Sequence, residues 1–116
     1  MQSPRTLVGR RSGVLRIDEL EIDTQRHEVR IEGQPIHLTP TEYALLQILA
    51  AHPEQAHRRE TLMQSIWGGQ VHVTTRTVDV HVSKLRHKLC GSGTDTSFVE
   101  TVWGIGYRLR RRISDL

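Results

Sequence analysis

At 116 residues the chain suffices for one domain that buries roughly two-thirds of its unfolded surface, so its core needs neither disulfide nor metal. The composition, 36% hydrophobic and 25% charged, is that of an ordinary globular chain, and no apolar run approaches the roughly 20 residues that cross a bilayer. The formal charge is only +3, but residues 14–37 are net acidic while residues 76–89 and 108–112 are strongly basic, which places a positive field on the C-terminal half.

A lone cysteine, Cys90, excludes an internal disulfide, and the N-terminus has no apolar signal region; both fit a cytoplasmic protein. The histidines are scattered without a supporting carboxylate cluster, so no metal site is expected. No nucleophile sits beside a base and no glycine-rich loop could cradle a phosphate, so neither an enzyme nor a cofactor is expected.

Residues 1–13, rich in Arg, Ser, Gly and Pro, read as a linker or as tag-like residues. Four short alternating segments follow: Leu15 and Ile17, Leu20 and Ile22, Val29 and Ile31, Ile36 and Leu38. The apolar phase slips between Ile17 and Leu20, which puts a turn at Asp18-Glu19. Gly33 can supply a positive φ to a hairpin, and Pro35, which cannot donate to a ladder, marks an edge strand.

Thr39-Pro40-Thr41-Glu42 is a capping box with proline at the first helical position, so a helix starts at Pro40, buries Leu45, Leu46, Ile48 and Leu49, and ends before Pro53. A second helix spans about Arg59–Trp67 and stops at Gly68-Gly69, although Arg58 stands where a Ser or Thr cap is usual. Residues 68–75 form a loop, with Thr75 as the N-cap of a third helix.

That helix carries Val78, Val82, Leu85 and Leu89 on one stripe and a mostly basic face opposite, with Arg76, Val80, Ser83, Lys84 and His87. A solvated polar face is the plain reading. Val80 argues for another, because an apolar side chain amid basic ones gains nothing from water but can meet a thymine methyl. The helix closes at Cys90-Gly91; residues 98–102 and 107–109 then pair around Trp103-Gly104-Ile105-Gly106, with Arg108 and Arg110, Arg111 and Arg112 beyond. The expected fold is α+β: an N-terminal four-stranded antiparallel sheet, three helices and a C-terminal β-hairpin wing, with residues 14–112 as a winged helix-turn-helix and 113–116 as a tail.

Four segments in this order, "LTPTEYALLQIL", "RRETLMQSIWG", "RTVDVHVSKLRHKL" and "FVETVWGIGYRL", resemble successive motifs of the OmpR/PhoB family of response-regulator DNA-binding domains over about residues 15–109. The resemblance implies a third helix in the major groove and a wing at the minor groove of double-stranded promoter DNA. It matches Thr77, Val80 and Lys84 to base-facing positions, and Trp67, Arg76, His81, Ser83, Arg86, Thr101 and Tyr107 to backbone-contacting ones. Trp103 and Gly104 occupy the wing tip, where many members carry an arginine; the indole could pack on sugars or brace the hairpin.

The loop Gly69, Gln70, Val71, His72 and Val73 resembles the family's RNA polymerase contact, or is a plain connector. The resemblance further implies tandem binding to direct repeats as a dimer on DNA, and an upstream receiver domain in a phosphorelay. On that reading the chain is either an effector domain apart from its receiver or a natural stand-alone domain. The competing reading is a winged-helix protein-interaction module that does not bind DNA.

Overall fold

The computed structural model describes residues 13–70, 72–89 and 98–110. The chain divides into two compact units, Met1–His37 and Leu38–Leu116. The expectations for residues 1–12, for Val71, for Cys90-Gly91 and the polar stretch to Ser97, and for Arg111, Arg112 and the tail lie outside the described residues.

The first unit is a four-stranded antiparallel meander of β1 (Val14–Ile17), β2 (Leu20–Asp23), β3 (Glu28–Ile31) and β4 (Gln34–Ile36), ordered as in the sequence. Its register aligns Leu15, Ile22, Val29 and Ile36 in one cross-strand row and Ile17, Leu20 and Ile31 in another, so one face collects the aliphatic side chains of the alternation except Leu38, which lies beyond the end of β4. Ile17, Leu20, Ile22 and Val29 are buried. The other face pairs Arg16 with Glu21 at 2.8 Å and Arg30 with Glu28 at 3.7 Å, exposed ion pairs that contribute little.

The turns match their chemistry. Asp18 (φ 53°) makes the two-residue reversal at the phase slip, and Glu32 and Gly33 (φ 52° and 81°) both take the left-handed conformation of a tight hairpin. Asp23 Oδ1 accepts from the backbone N–H groups of Gln25 and Arg26, 3.0 Å each, and turns β2 into β3. Pro35 lies on β4, at the sheet edge as its missing donor requires.

The second unit holds α1 (Pro40–Ala51), β5 (His57–Arg58), α2 (Arg59–Trp67), α3 (Thr75–Leu89), β6 (Val99–Val102) and β7 (Gly106–Leu109). Both halves of the capping box form: Thr39 Oγ1 accepts from Glu42 N at 3.2 Å, and Glu42 Oε1 accepts from Thr39 N at 3.0 Å. Tyr43, Leu45, Leu46, Leu49 and Ala50 of α1, Leu62 of α2 and the α3 stripe are buried, as are Phe98, Val99 and Leu109. Ile48 is only half-buried, because it lies at the margin of the α1 stripe.

Three further expectations need correction. The hairpin is joined by β5, giving a three-stranded sheet ordered β5-β7-β6; a two-residue strand is too short to leave an alternation in the sequence. Gly106 is not a turn residue but pairs with Arg58 inside that sheet, and a Cβ there would lie 2.0 Å from the His57 carbonyl oxygen. The reversal is the work of Gly104, at φ 81°. Thr75 is the first residue of α3, one position inside the expected boundary.

Candidate nucleic-acid interface

The helical period of α3 decides which side chains face out. Val78, Val82, Leu85 and Leu89 are at most 3% exposed, so Arg76, Val80, Ser83, Lys84 and His87 project outward. Val80 is 44% exposed despite its aliphatic side chain. Thr77 and His81 are half-buried on the flanks. Arg86, His87 and Lys88 occupy the last turn, where cations complement the helix dipole.

A polar network ties α3 to its neighbours. Asp79 accepts from Arg59 Nε at 3.0 Å, from Arg59 Nη2 at 2.5 Å, and from the Tyr107 hydroxyl at 2.8 Å. Partial burial raises the Asp79 carboxyl, but the bonds from Arg59 and Tyr107 outweigh it and hold the group below the usual carboxylate range. Burial and the neighbouring carboxylate push the Tyr107 phenol up, so the proton stays on its oxygen. Two helical turns further on, Arg86 Nη2 donates to Thr101 Oγ1 at 2.9 Å, and its guanidinium lies 5.6 Å from the Tyr107 ring centroid.

Other cations are engaged elsewhere. Lys88 Nζ meets the buried Glu42 carboxylate at 2.7 Å, so it closes the α1 capping box and is not available to a phosphate. Burial raises the Glu42 carboxyl, yet Lys88 and Thr39 together bring it below its ordinary value. Arg108 and Arg110 flank Glu100 at 2.9 and 3.8 Å, which lessens the positive charge of the wing. Arg76 and Lys84 make no ion pair among the described residues, which leaves the outer face of α3 positive.

Trp67 closes α2 with its ring 5.4 Å from that of His81, and His81 Nδ1 lies 2.9 Å from the Thr77 carbonyl. If that nitrogen carries the proton, the other is an acceptor. At the wing, Thr101 is exposed, Tyr107 is buried, and Trp103 is 89% exposed, which removes the bracing role for the indole. Arg58, Arg59, Glu60, Asp79 and residues 101–107 line an open groove of about 390 Å³. Gly69, Gln70 and His72 are exposed and Val73 is half-buried.

The structure thus places Thr77, Val80, Ser83, Lys84 and Arg76 together along α3, and joins Arg86, Thr101 and Tyr107 into one cluster at the wing. Asp79 and Arg59 were not among the expected site residues. Their signal, a carboxylate on an otherwise basic helix, was present but had no assigned partner.

A family profile described as "Transcriptional regulatory protein, C terminal" matches residues 33–109, most of the chain. The chain belongs to this family. It is thus a DNA-binding effector domain of the OmpR/PhoB response regulators, and not an enzyme domain. It is 42% identical over 118 residues to the phosphate regulon transcriptional regulatory protein PhoB of Pseudomonas aeruginosa, an alignment covering 91% of this chain and 51% of that protein. The chain spans about half the length of the curated relatives it matches.

Among solved structures, the DNA-binding domain of the response regulator AdeR, in complex with an intercistronic region, superposes with a TM-score of 0.72. It is 37% identical, covering 82% of this chain and 96% of that one. The Klebsiella pneumoniae RstA DNA-binding domain, in complex with the RstA box, has a TM-score of 0.73 at 28% identity, covering 84% and 96%. This OmpR/PhoB-family domain therefore shares the architecture of domains solved on DNA. Among its described residues no helix is long and apolar enough to cross a membrane.

Proposed function

We propose that this domain reads double-stranded promoter DNA with α3 in the major groove and the β6–β7 hairpin at the adjacent minor groove. The observation that carries the reading is the outer face of α3, where Arg76 and Lys84 make no ion pair among the described residues and stand on either side of an exposed Val80. Lys84 would donate to guanine O6 or N7, Val80 would meet a thymine methyl, and Thr77 would supply a further base contact. Arg76, Ser83 and Arg86, with Thr101 at the wing, would hold phosphates and fix the register. The Thr101 hydroxyl accepts from Arg86, which leaves its own proton free for a phosphate oxygen. Trp67, His81 and Tyr107 border the same path, and Trp103 with Gly104 would reach the minor groove without an arginine's charge.

One copy offers few base contacts, so we assign useful specificity to two copies arranged in tandem on direct repeats. The DNA-binding unit spans residues 14–112, with 1–13 as linker or tag-like residues and 113–116 as tail. The loop Gly69, Gln70, Val71, His72 and Val73 is a candidate RNA polymerase contact; loop substitutions should abolish transcription in vitro and leave DNA affinity intact. In the whole protein, a cytoplasmic regulator on this reading, an upstream receiver domain would control assembly through a phosphorelay.

The test is a binding selection from random duplex DNA, followed by affinity for the winning and a scrambled duplex across a salt series. A repeated half-site, with a steep salt dependence for both duplexes and far tighter binding to the winner, is the expected result. Equal weak binding to both would reject specific DNA reading in favour of a protein-interaction module.

A further inference from the structure

We infer that Asp79 is a positioning residue for DNA recognition: its carboxylate clamps Tyr107 of the wing and Arg59 of α2 to α3, and so fixes the wing relative to the base-facing side chains. The inference rests on the DNA-reading function proposed above. A carboxylate on the helix that meets DNA would repel phosphates unless its charge were used. Here it is used fully, since Arg59 donates twice to it and the Tyr107 hydroxyl donates once.

The geometry explains why this position matters. Asp79 directly precedes Val80, so the clamp attaches beside the base-facing residues. Arg86, seven residues on and roughly 10.5 Å along the axis, bonds Thr101. Thr101 and Tyr107 are cross-strand partners in the hairpin, so two points on α3 hold the two strands of the wing at one level. The next pair, Val102 and Gly106, leads into the turn that carries Trp103. A hairpin held only at its far end could pivot about that level. With its proton directed at Asp79, Tyr107 serves at the backbone path by holding the wing, not by donating to a phosphate.

The clamp is tested by footprinting the 116-residue chain at saturation on the duplex selected against the wild-type protein. Protection of guanine N7 from methylation reports α3 in the major groove, and protection from hydroxyl radicals reports the wing on the minor-groove side. Asp79→Asn should keep the guanine protection and lose at least several-fold of the wing protection, and Tyr107→Phe should shift it the same way by less. Wild-type wing protection in both variants would overturn the clamp, as would equal loss of both footprints. Should Asp79→Asn fail to fold, Tyr107→Phe decides alone, because it leaves the Arg59–Asp79 pair in place. A wild-type chain that protects neither groove of any duplex would instead reject the DNA-reading function itself.

Discussion

Lys84 and Arg86 lie two residues apart on α3 and should fail differently when removed. Lys84 is exposed and has no ion-pair partner among the described residues, so its truncation removes a potential base contact and disturbs nothing else. Lys84→Ala should relax base choice at one position of the site and cost about 1–3 kcal/mol against the preferred sequence. A repeated binding selection on the variant reads this directly, and an unchanged preference would remove Lys84 from the base contacts. On the proposed reading Arg86→Ala removes a phosphate-holding cation and should weaken all sequences alike, flattening the slope of log affinity against log salt by about one unit. A sequence-selective loss in the same titration would contradict that assignment. The outward residues of α3 were legible because helical period alone separates them from the stripe. The fate of Lys88 was not, because its partner Glu42 lies far away in sequence and a basic side chain gives no sign of which acid it will meet.

Among the elements, the start of α1 was readable to the residue, since the capping box states it in four letters and both of its hydrogen bonds form. The strand β5 was unreadable, since two residues carry no period, and its only trace was a glycine assigned to the wrong task. That glycine makes a sharp prediction. Gly106→Ala would drive a methyl into the His57 carbonyl at 2.0 Å, a backbone atom that cannot step aside. The substitution should part β5 from β7 and cost at least about 1–3 kcal/mol. Gly104→Ala meets nothing within 4 Å and carries only the strain of φ 81°, about 1–2 kcal/mol. Thermal or denaturant unfolding of the two variants should rank Gly106→Ala as the more damaging, with DNA binding reduced in parallel; equal stabilities would refute the close strand approach.

For the molecule as a whole, acid should act in two stages. His57 is 8% exposed, its Nε2 has no hydrogen-bond partner among the described residues, and its ring lies 6.5 Å from that of His52. Burial, then the nearby His52, lowers its pKa, so the folded chain holds the ring neutral. The unfolded chain takes up a proton first, at about 6.5, so stability is full above that pH and declines as the pH falls toward the folded value. Glu42 and Asp79 are lowered as carboxylates, so their contributions persist until the pH drops below about 4.5 and 3.8. Melting temperatures between pH 7 and 5 should therefore fall in the wild type and fall less in His57→Phe; identical slopes would clear His57. The global order of sheet, helices and hairpin was legible because amphipathic period and turn chemistry are local. The ion-pair clamp and the His57 environment were not, since both depend on where distant segments meet.

The wing turn has one more consequence. Trp103 and Ile105 point into solvent, and the open space around Gly104 leaves no packing to preserve there. The side-chain anchoring lies below, in the bond that Arg86 donates and the one that Asp79 accepts, while the turn itself is held by backbone alone, the Ile105 carbonyl accepting from the Arg59 N–H at 3.4 Å and the Ile105 N–H donating to the Val102 carbonyl at 2.9 Å. The tip is therefore interchangeable in the way an antibody loop is: residues 103 and 105 can be exchanged at little expense to folding, so on the proposed reading the domain could acquire a new minor-groove preference while its scaffold stays as it is.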